Sequence, residues 1–404
     1  MTASAAPATT GSVGEVFAAF LRLGLTSFGG PIAHLGYFRT EFVERRRWLD
    51  DRGYGELVAL SQFLPGPSSS QVGFTLGLLR AGPFGALAAF TAFTLPSAVL
   101  LVLFAFGVSW FDGPIASGAL TGLKVVAVAI VAQAVLGMAR TLTPDLRRAA
   151  IAVTALVIVV AFTGPLGQVG AILVGAIAGM LLCRASAESD DSGLAFPIPR
   201  WVGVVALAVF ALLIAGLPVL AVLARSPVVT LLDSFVRAGA LVFGGGHVVL
   251  PLLEAEVVST GLVGSDEFLA GYSAAQAVPG PLFTFAGYLG ALAEPGPGGV
   301  AGAALALIGI FLPGFLILIG VLPFWHTLRT RPVAQGFIRG ASAAVVGILA
   351  AALYDPVFTS AIVDPTTFAL AVACFVLLVV AKAPPWSVVL LGAAAGILLA
   401  VIGG

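Results

Sequence analysis

The chain has 404 residues, of which 59% are hydrophobic and 9% charged, with a mean hydropathy of +1.10. That excludes a soluble globular domain, in which about a quarter of residues carry charge. Its 19 basic and 19 acidic residues cancel, so nothing points to a nucleic-acid partner.

Apolar runs longer than about 18 residues recur from end to end, and each reads as a membrane span. The fold class expected is therefore an all-α polytopic membrane protein. The first residues, 1–12, are small and polar, without a charged or apolar leader segment, and read as a tail rather than a cleaved signal. From residue 13 an apolar run reaches Phe28, breaks at Gly29-Gly30-Pro31, and continues to Phe38. The most charged stretch follows, 39–52, with Arg39, Arg45, Arg46, Arg47 and Arg52 among Glu41, Glu44, Asp50 and Asp51. A second interrupted element, 54–79, breaks at Pro65-Gly66-Pro67-Ser68. Four uninterrupted spans are expected at 85–108, 115–139, 149–163 and 167–183. The segment 184–200, rich in Ser, Asp and Pro, reads as a linker, and 201–224 as one connecting span. Interrupted elements then recur at 231–253 and 268–292, with spans at 301–324, 333–354, 367–380 and 387–402.

The second half repeats the first in more than hydropathy. Arg22, Gly24, Phe28, Gly29, Gly30 and Glu41 recur at one offset as Arg237, Gly239, Phe243, Gly244, Gly245 and Glu256. Gln62, Pro65, Gly66, Pro67 and Gly73 recur as Gln276, Pro279, Gly280, Pro281 and Gly287; Leu95-Pro96 matches Leu312-Pro313, and Lys124 matches Arg339. Chance apolar similarity does not hold Gly, Pro, Arg and Glu in register. The expected organisation is a tail (1–12), a first repeat (13–183), the linker (184–200), the connecting span (201–224) and a second repeat (225–404).

Lys and Arg concentrate in cytoplasmic loops, which puts 39–52 inside. If each interrupted element enters and leaves on one side, Arg80, the stretch from Arg140 to Arg148 and the linker all fall inside. The connecting span then delivers the second half to the outside. Its equivalent of the charged loop, 251–267, has Glu254, Glu256, Asp266 and Glu267 but no Lys or Arg. Only Arg225 contradicts the scheme. The expectation is two inverted repeats, each with two re-entrant or broken elements plus four spans, a cytoplasmic N-terminus and an external C-terminus. Kinked full spans are the alternative. Trp110, Trp201, Trp325 and Trp386 fall at span ends, which suits an interfacial belt.

Backbone freed from helical bonding cannot face lipid and must be buried or line a polar cavity. Matching interruptions in two halves are the best pointer to a transporter's binding site. This makes Gly29, Gly30, Pro65, Gly66, Pro67, Ser68, Gly244, Gly245, Pro279, Gly280 and Pro281 candidate site residues. Arg22, Lys124, Arg237 and Arg339 lie inside apolar segments, at about 2.5–3.5 kcal/mol each on insertion scales. Snorkelling or pairing is the bland explanation for Arg22 and Arg237, the latter having Asp233 four residues before it; Lys124 has no acid in its own span. Buried cations and broken-helix N-termini together point to an anionic substrate. Ser68, Ser69, Ser70, Gln71 and Thr284 are candidate donors. Gln62 and Gln276 either bind substrate or satisfy freed carbonyls. His34 and His247 flank the glycine breaks, where protonation would couple transport to pH and a neutral, bonded ring would not. Glu41 and Glu256 recur in register, and Glu41, in a solvated charged run, suits a structural role. Cys183 and Cys374 lie on unrelated spans, and neither a metal cluster, a phosphate-cradling loop nor a catalytic triad is present. No cofactor and no enzyme activity are expected.

At these residues the chain resembles the chromate ion transporter family in its long, two-domain form. The likeness is carried by Phe28-Gly29-Gly30-Pro31, Glu41, Arg46 to Leu49, Gln62 and Leu64 to Pro67. In the second half it is carried by Phe243 to His247, Leu250 to Leu253, Glu256 and Gln276 to Pro281. The resemblance implies a multi-pass plasma-membrane protein that exports chromate by secondary active transport and confers chromate resistance, with sulfate as the chemical look-alike. The residues alone reach only an anion transporter with inverted repeats. Another oxyanion as native substrate, an anion channel, a proton as coupling ion and a homo-oligomer all stay open.

Overall fold

The computed structural model describes residues 11–108, 113–183, 196, 198–243 and 246–403. Among them every regular element is helical, as an apolar surround demands of a chain that must satisfy its own backbone. Among the described residues seven helices are long and apolar enough to cross a membrane, and the protein is a multi-pass membrane protein.

The first half runs through α1 (Val13–Thr26), α2 (Gly30–Arg39), α3 (Asp51–Phe63), α4 (Ser68–Val108), α5 (Pro114–Leu142), α6 (Leu146–Ala161) and α7 (Pro165–Leu182). A π-helical segment, Thr40–Arg45, continues α2. Helix α4 is two legs, 68–80 and 83–108, divided at Ala81 and Gly82. Helix α8 (Arg200–Ala224) follows. The second half comprises α9 (Pro227–Ala240), α10 (Val249–Leu253), α11 (Ser265–Ala277), α12 (Phe285–Leu292), α13 (Gly299–Val321), α14 (Trp325–Arg329), α15 (Pro332–Ala352), α16 (Thr359–Ala361), α17 (Pro365–Val379) and α18 (Pro385–Gly403). Polar caps mark several entries. Ser12 accepts from Glu15 N–H at 3.1 Å and Asp50 from Gly53 N–H at 2.8 Å. Asp145 accepts from Arg148 N–H at 3.0 Å, and these bonds hold its carboxyl below the usual range.

The elements before the long spans fold back on themselves. Glu15, in the first turn of α1, accepts from Trp48 Nε1 at 3.2 Å and from Arg80 at 3.1 Å, while Gly11 N–H reaches Arg80 O at 3.0 Å. The start of α1, the charged loop and the end of the 68–80 leg therefore share one end of the molecule. Both pairs, α1 with α2 and α3 with the 68–80 leg, are hairpins whose tips lie in the interior. Their packing is aromatic: Phe20 stacks on Phe42 at 4.8 Å and Phe38 meets Phe93 at 5.1 Å. In the second half Glu294 N–H bonds Leu262 O at 2.9 Å, so the α11–α12 pair also closes at one end.

The halves exchange partners through small residues, as membrane helices do when backbones approach closely. Gly118 and Gly122 of α5 lie against Gly396 and Gly392 of α18, and Gly175 and Gly179 of α7 against Gly340 and Gly336 of α15.

Helices α6 and α17, of 16 and 15 residues, match the extents expected at 149–163 and 367–380; at 1.5 Å per residue they are about 24 and 22 Å long, short of the roughly 30 Å hydrocarbon core. One sequence expectation is revised. Trp325 is not a belt residue: it is 3% exposed, its Nε1 donates to Glu56 Oε1 at 3.1 Å, and its ring packs edge-on against Phe63 of α3 at 5.3 Å. Trp201 and Trp386 are exposed, at 68% and 40%, and Trp110 lies outside the described residues.

Candidate functional site

The four interrupted elements meet at their tips. Helix α1 ends at Thr26, and Gly29 and Gly30 turn the chain into α2 at φ 98° and 76°. Helix α3 ends at Phe63, where Pro65-Gly66-Pro67 prevents continuation and Gly66 adopts φ 121°. Gly280, between Pro279 and Pro281, takes φ 108°. Backbone N–H and C=O groups released by such breaks need partners, and here they find them in the opposite half. Gly66 N–H donates to Val242 O at 2.7 Å, and Gly280 N–H donates to Ser27 O at 2.9 Å. Under the sequence repeat Gly66 corresponds to Gly280 and Ser27 to Val242, so the two bonds are counterparts.

The tips are packed to the limit. A Cβ on Gly66 would stand 2.9 Å from Gly314 Cα, and one on Gly280 would stand 2.7 Å from Ser97 Oγ. Ser97 and Gly314 also correspond, each following a matched Leu-Pro pair.

Polar side chains gather on the first-half side of this crossing. His34 is fully buried. Its Nε2 donates to Ser27 O at 3.2 Å, and its Nδ1 lies 3.4 Å from Ser69 Oγ. A carbonyl only accepts, so Nε2 carries a proton. Gln71 Nε2 bridges the halves, donating to Pro65 O at 2.9 Å and Gly314 O at 3.0 Å. Ser68 Oγ donates to Ser61 O at 3.3 Å and Thr284 Oγ1 to Pro281 O at 2.7 Å. Ser27 Oγ, Ser70 Oγ, Gln71 Oε1 and Thr94 Oγ1 are buried without a hydrogen-bond partner among the described residues.

The expected site residues divide. Gly29, Gly30, Pro65, Gly66, Pro67, Ser68, Pro279, Gly280 and Pro281 belong to the crossing. Gln276 is buried beside its bonding partner Tyr272, whereas Gln62 is exposed on α3. Gly244 and Gly245 lie outside the described residues, as does the His247 side chain.

Among the described residues none of the four cations is seen bonding the crossing itself. Lys124 Nζ lies 2.8 Å from Asp266 Oδ1. Arg237 pairs with Asp233 and, at 3.2 Å, with Glu256. Arg22 is exposed on the outer face of α1. Arg339 Nη1 reaches Cys183 O at 3.4 Å beside a 440 Å³ pocket that Arg147, Arg148 and Asp145 also line. Glu41 is held by Arg46 at 2.6 Å and Arg45 at 3.1 Å. A larger cavity of 960 Å³ opens beside Pro65 and Phe243, lined by apolar side chains such as Phe63, Phe210 and Phe337, with Arg331 on its wall.

Sequence reasoning missed Ser27 and Ser97, which sit outside the Gly-Pro breaks. Their signal was weak but present: Ser97 follows the repeated Leu95-Pro96 pair, and Ser27 directly precedes Phe28.

The family model described as "Chromate transporter" matches residues 14–180 and 229–397. A chromate transport protein of Pseudomonas aeruginosa is 27% identical over 347 residues, 84% of this chain and 80% of its own length. A probable chromate transport protein of Synechococcus elongatus is 30% identical over 83% of this chain and 82% of its own. A chromate transport protein of Cupriavidus metallidurans is 29% identical over 93% and 90%. No solved structure matches.

Proposed function

The chain belongs to the chromate transporter family, and from that premise we propose that it is a secondary active transporter that exports chromate across the plasma membrane and so confers chromate resistance. The substrate site in this reading is the crossing of the four hairpin tips. The observation that carries it is the pair of reciprocal bonds, Gly66 N–H to Val242 O and Gly280 N–H to Ser27 O. Non-helical backbone at membrane depth is held there by the other half, and helix N-termini begin beside it at Gly30 and Ser68. Free N–H groups at such ends attract anions.

The four intramembrane cations act around the path rather than at its centre. Arg339, with Arg147 and Arg148, concentrates anions at one end, and Lys124 does so at the other, where its pairing with Asp266 is released as the anion passes. Arg22 and Arg237 add positive potential near the tips, and Gln62, Gln276 and His247 stay in the proposed site. A proton is the proposed coupling ion.

We also propose that the repeats are inverted, with a cytoplasmic N-terminus and an external C-terminus. Support comes from two contacts between the halves. The 83–108 leg starts at the Arg80 end, so α5 starts at the far end, and Lys124, about ten residues along α5, meets the first turn of α11. Trp325, beyond the close of α13, returns to Glu56 in the first turns of α3.

The experiment is uptake of labelled chromate and, separately, sulfate into inverted vesicles, with and without a proton gradient and a membrane potential. Gradient-driven chromate accumulation that exceeds sulfate is expected. Flux that only follows the chromate gradient would make the protein a channel, and preferential sulfate uptake would reassign the substrate.

A further inference from the structure

The 960 Å³ cavity lies between two helix pairs, α7 with α15 and α8 with α13. Among the described residues that line it, only Thr327 and Arg331 have polar side chains; the rest, such as Met180, Phe210 and Phe337, are apolar. Protein interiors are close-packed, with few voids larger than a water molecule, and apolar cavities stay dry. A gap of this size in a membrane protein takes an apolar filling from its surroundings. Leu173 of α7 and Val333 of α15, both on the wall, are 53% and 48% exposed. The cavity therefore has a mouth on the lipid-facing surface.

It runs from one end of the molecule to the hairpin tips. Phe324, Thr327 and Arg331, beyond the close of α13, form its outer limit. That end is shared with the charged loop, because Trp325 bonds Glu56 in the first turns of α3. Arg200 opens α8 there too, since Gly203, three residues on, abuts Gly320 O and Pro323. The inner limit is formed by Leu64 and Pro65 of one tip and by Leu241 and Phe243 of another. These residues adjoin Gly66 and Val242, whose N–H and C=O are bonded across the halves. Gly314 abuts Gly66 and stands ten residues before Phe324. At 1.5 Å per residue the two limits are about 15 Å apart.

We propose that this cavity docks one anionic phospholipid, with its phosphate against Arg331 and one acyl chain reaching the Gly66–Val242 bond. The two ends of the cavity match the two ends of that molecule. A guanidinium takes phosphate oxygens through a planar fork of N–H donors, and the walls offer a chain only apolar contact. A free oxyanion does not fit, because it would lose its water among side chains that donate nothing. The polar end lies on the face that the proposed orientation makes cytoplasmic, where basic pockets between spans take anionic headgroups. The placement goes beyond the transport reading and rests on the membrane class alone.

The test is photolabelling of the purified full chain, reconstituted in phosphatidylcholine vesicles, by phosphatidylglycerol carrying a diazirine. One probe has the diazirine at the acyl terminus and a second has it beside the glycerol. Peptide mass spectrometry should find the terminal label on 63–65 or 240–243, and the glycerol-side label near Phe324 and Thr327. Leu173→Trp and Ala334→Trp fill the cavity from different helices, and each should lower terminal labelling there about tenfold. Arg331→Gln should lower labelling by phosphatidylglycerol about fivefold, the effect of one basic residue near a membrane surface. The matching phosphatidylcholine probe should not respond to that change. Melting temperatures like that of the wild type would separate lost docking from lost folding, and a defect in one tryptophan variant leaves the other to decide. Terminal label spread evenly over outward residues of α8, such as Leu212 and Val222, would mean bulk lipid contact only and overturn the site. Crosslinks to a second copy of the chain, or equal labelling by both headgroups in the wild type, would overturn the assignment of an anionic lipid. Each of these outcomes leaves the transport reading untouched, because no flux is measured.

Discussion

At the scale of single residues, the cations show how little position in a hydropathy profile says about role. Arg237 and Lys124 both look like unexplained charge in an apolar run. Arg237 is enclosed by Asp233, one turn away, and by Glu256. Lys124 finds Asp266, 142 positions along the chain. The Asp266 side chain is 63% exposed and that of Lys124 only 15%, so the pair itself contributes at most about 1 kcal/mol. That is too little to explain a lysine at this depth, which favours a part in anion passage. Lys124→Gln should therefore lose most transport at undiminished membrane abundance, since the Asp266 left behind remains solvated. Asp266→Asn frees the ammonium and should leave chromate affinity equal or higher. Wild-type chromate transport by Lys124→Gln would remove this residue from the path.

At the scale of elements, the hairpin tips are where sequence and geometry agree most closely. Each Pro-Gly-Pro stops a helix and demands a positive φ, which only glycine adopts freely. Both glycines also touch the opposite half, so a side chain would strain the backbone and push the halves apart together. Gly66→Val and Gly280→Val should each abolish transport while the protein still inserts, because the long spans that direct insertion are untouched. Flux measured beside membrane abundance checks this, and normal flux from both variants would reduce the turns to ordinary kinks. The outer helices α6 and α17 end within two residues of where the apolar runs at 149–163 and 367–380 stop. Trp325 was less legible: at a span end it reads as an interfacial belt residue, yet its ring is buried against Phe63 and Glu56 of α3, a contact between distant segments that composition does not carry.

At the scale of the whole molecule, the proposed inversion gives the two charged loops opposite fates. The loop after α2 is basic and the one after α10 acidic, so the positive-inside rule puts them on opposite faces. In a background with Cys183 and Cys374 replaced by Ala, cysteines at Asp51 and at Thr260 should react with a membrane-impermeant thiol reagent from opposite sides. Labelling of both from outside in intact cells would refute the inverted arrangement.

The sequence by itself determined the membrane class, the helical content, the chain positions of the breaks at Gly29-Gly30 and Pro65-Gly66-Pro67, and the family. Each of these is written in local composition, or in residues such as Gly and Pro whose conformational limits act where they stand. Only the tertiary structure decided what the breaks touch. That Gly66 bonds Val242 while Gly280 bonds Ser27, that Lys124 meets Asp266, and that Gln71 reaches Gly314 all depend on contacts between distant segments. Such contacts are set by how glycine-lined helices of one half seat against those of the other. No local rule carries that information: a glutamine in an apolar run reads the same whether its amide bonds its own helix or, as in Gln71, reaches the other half.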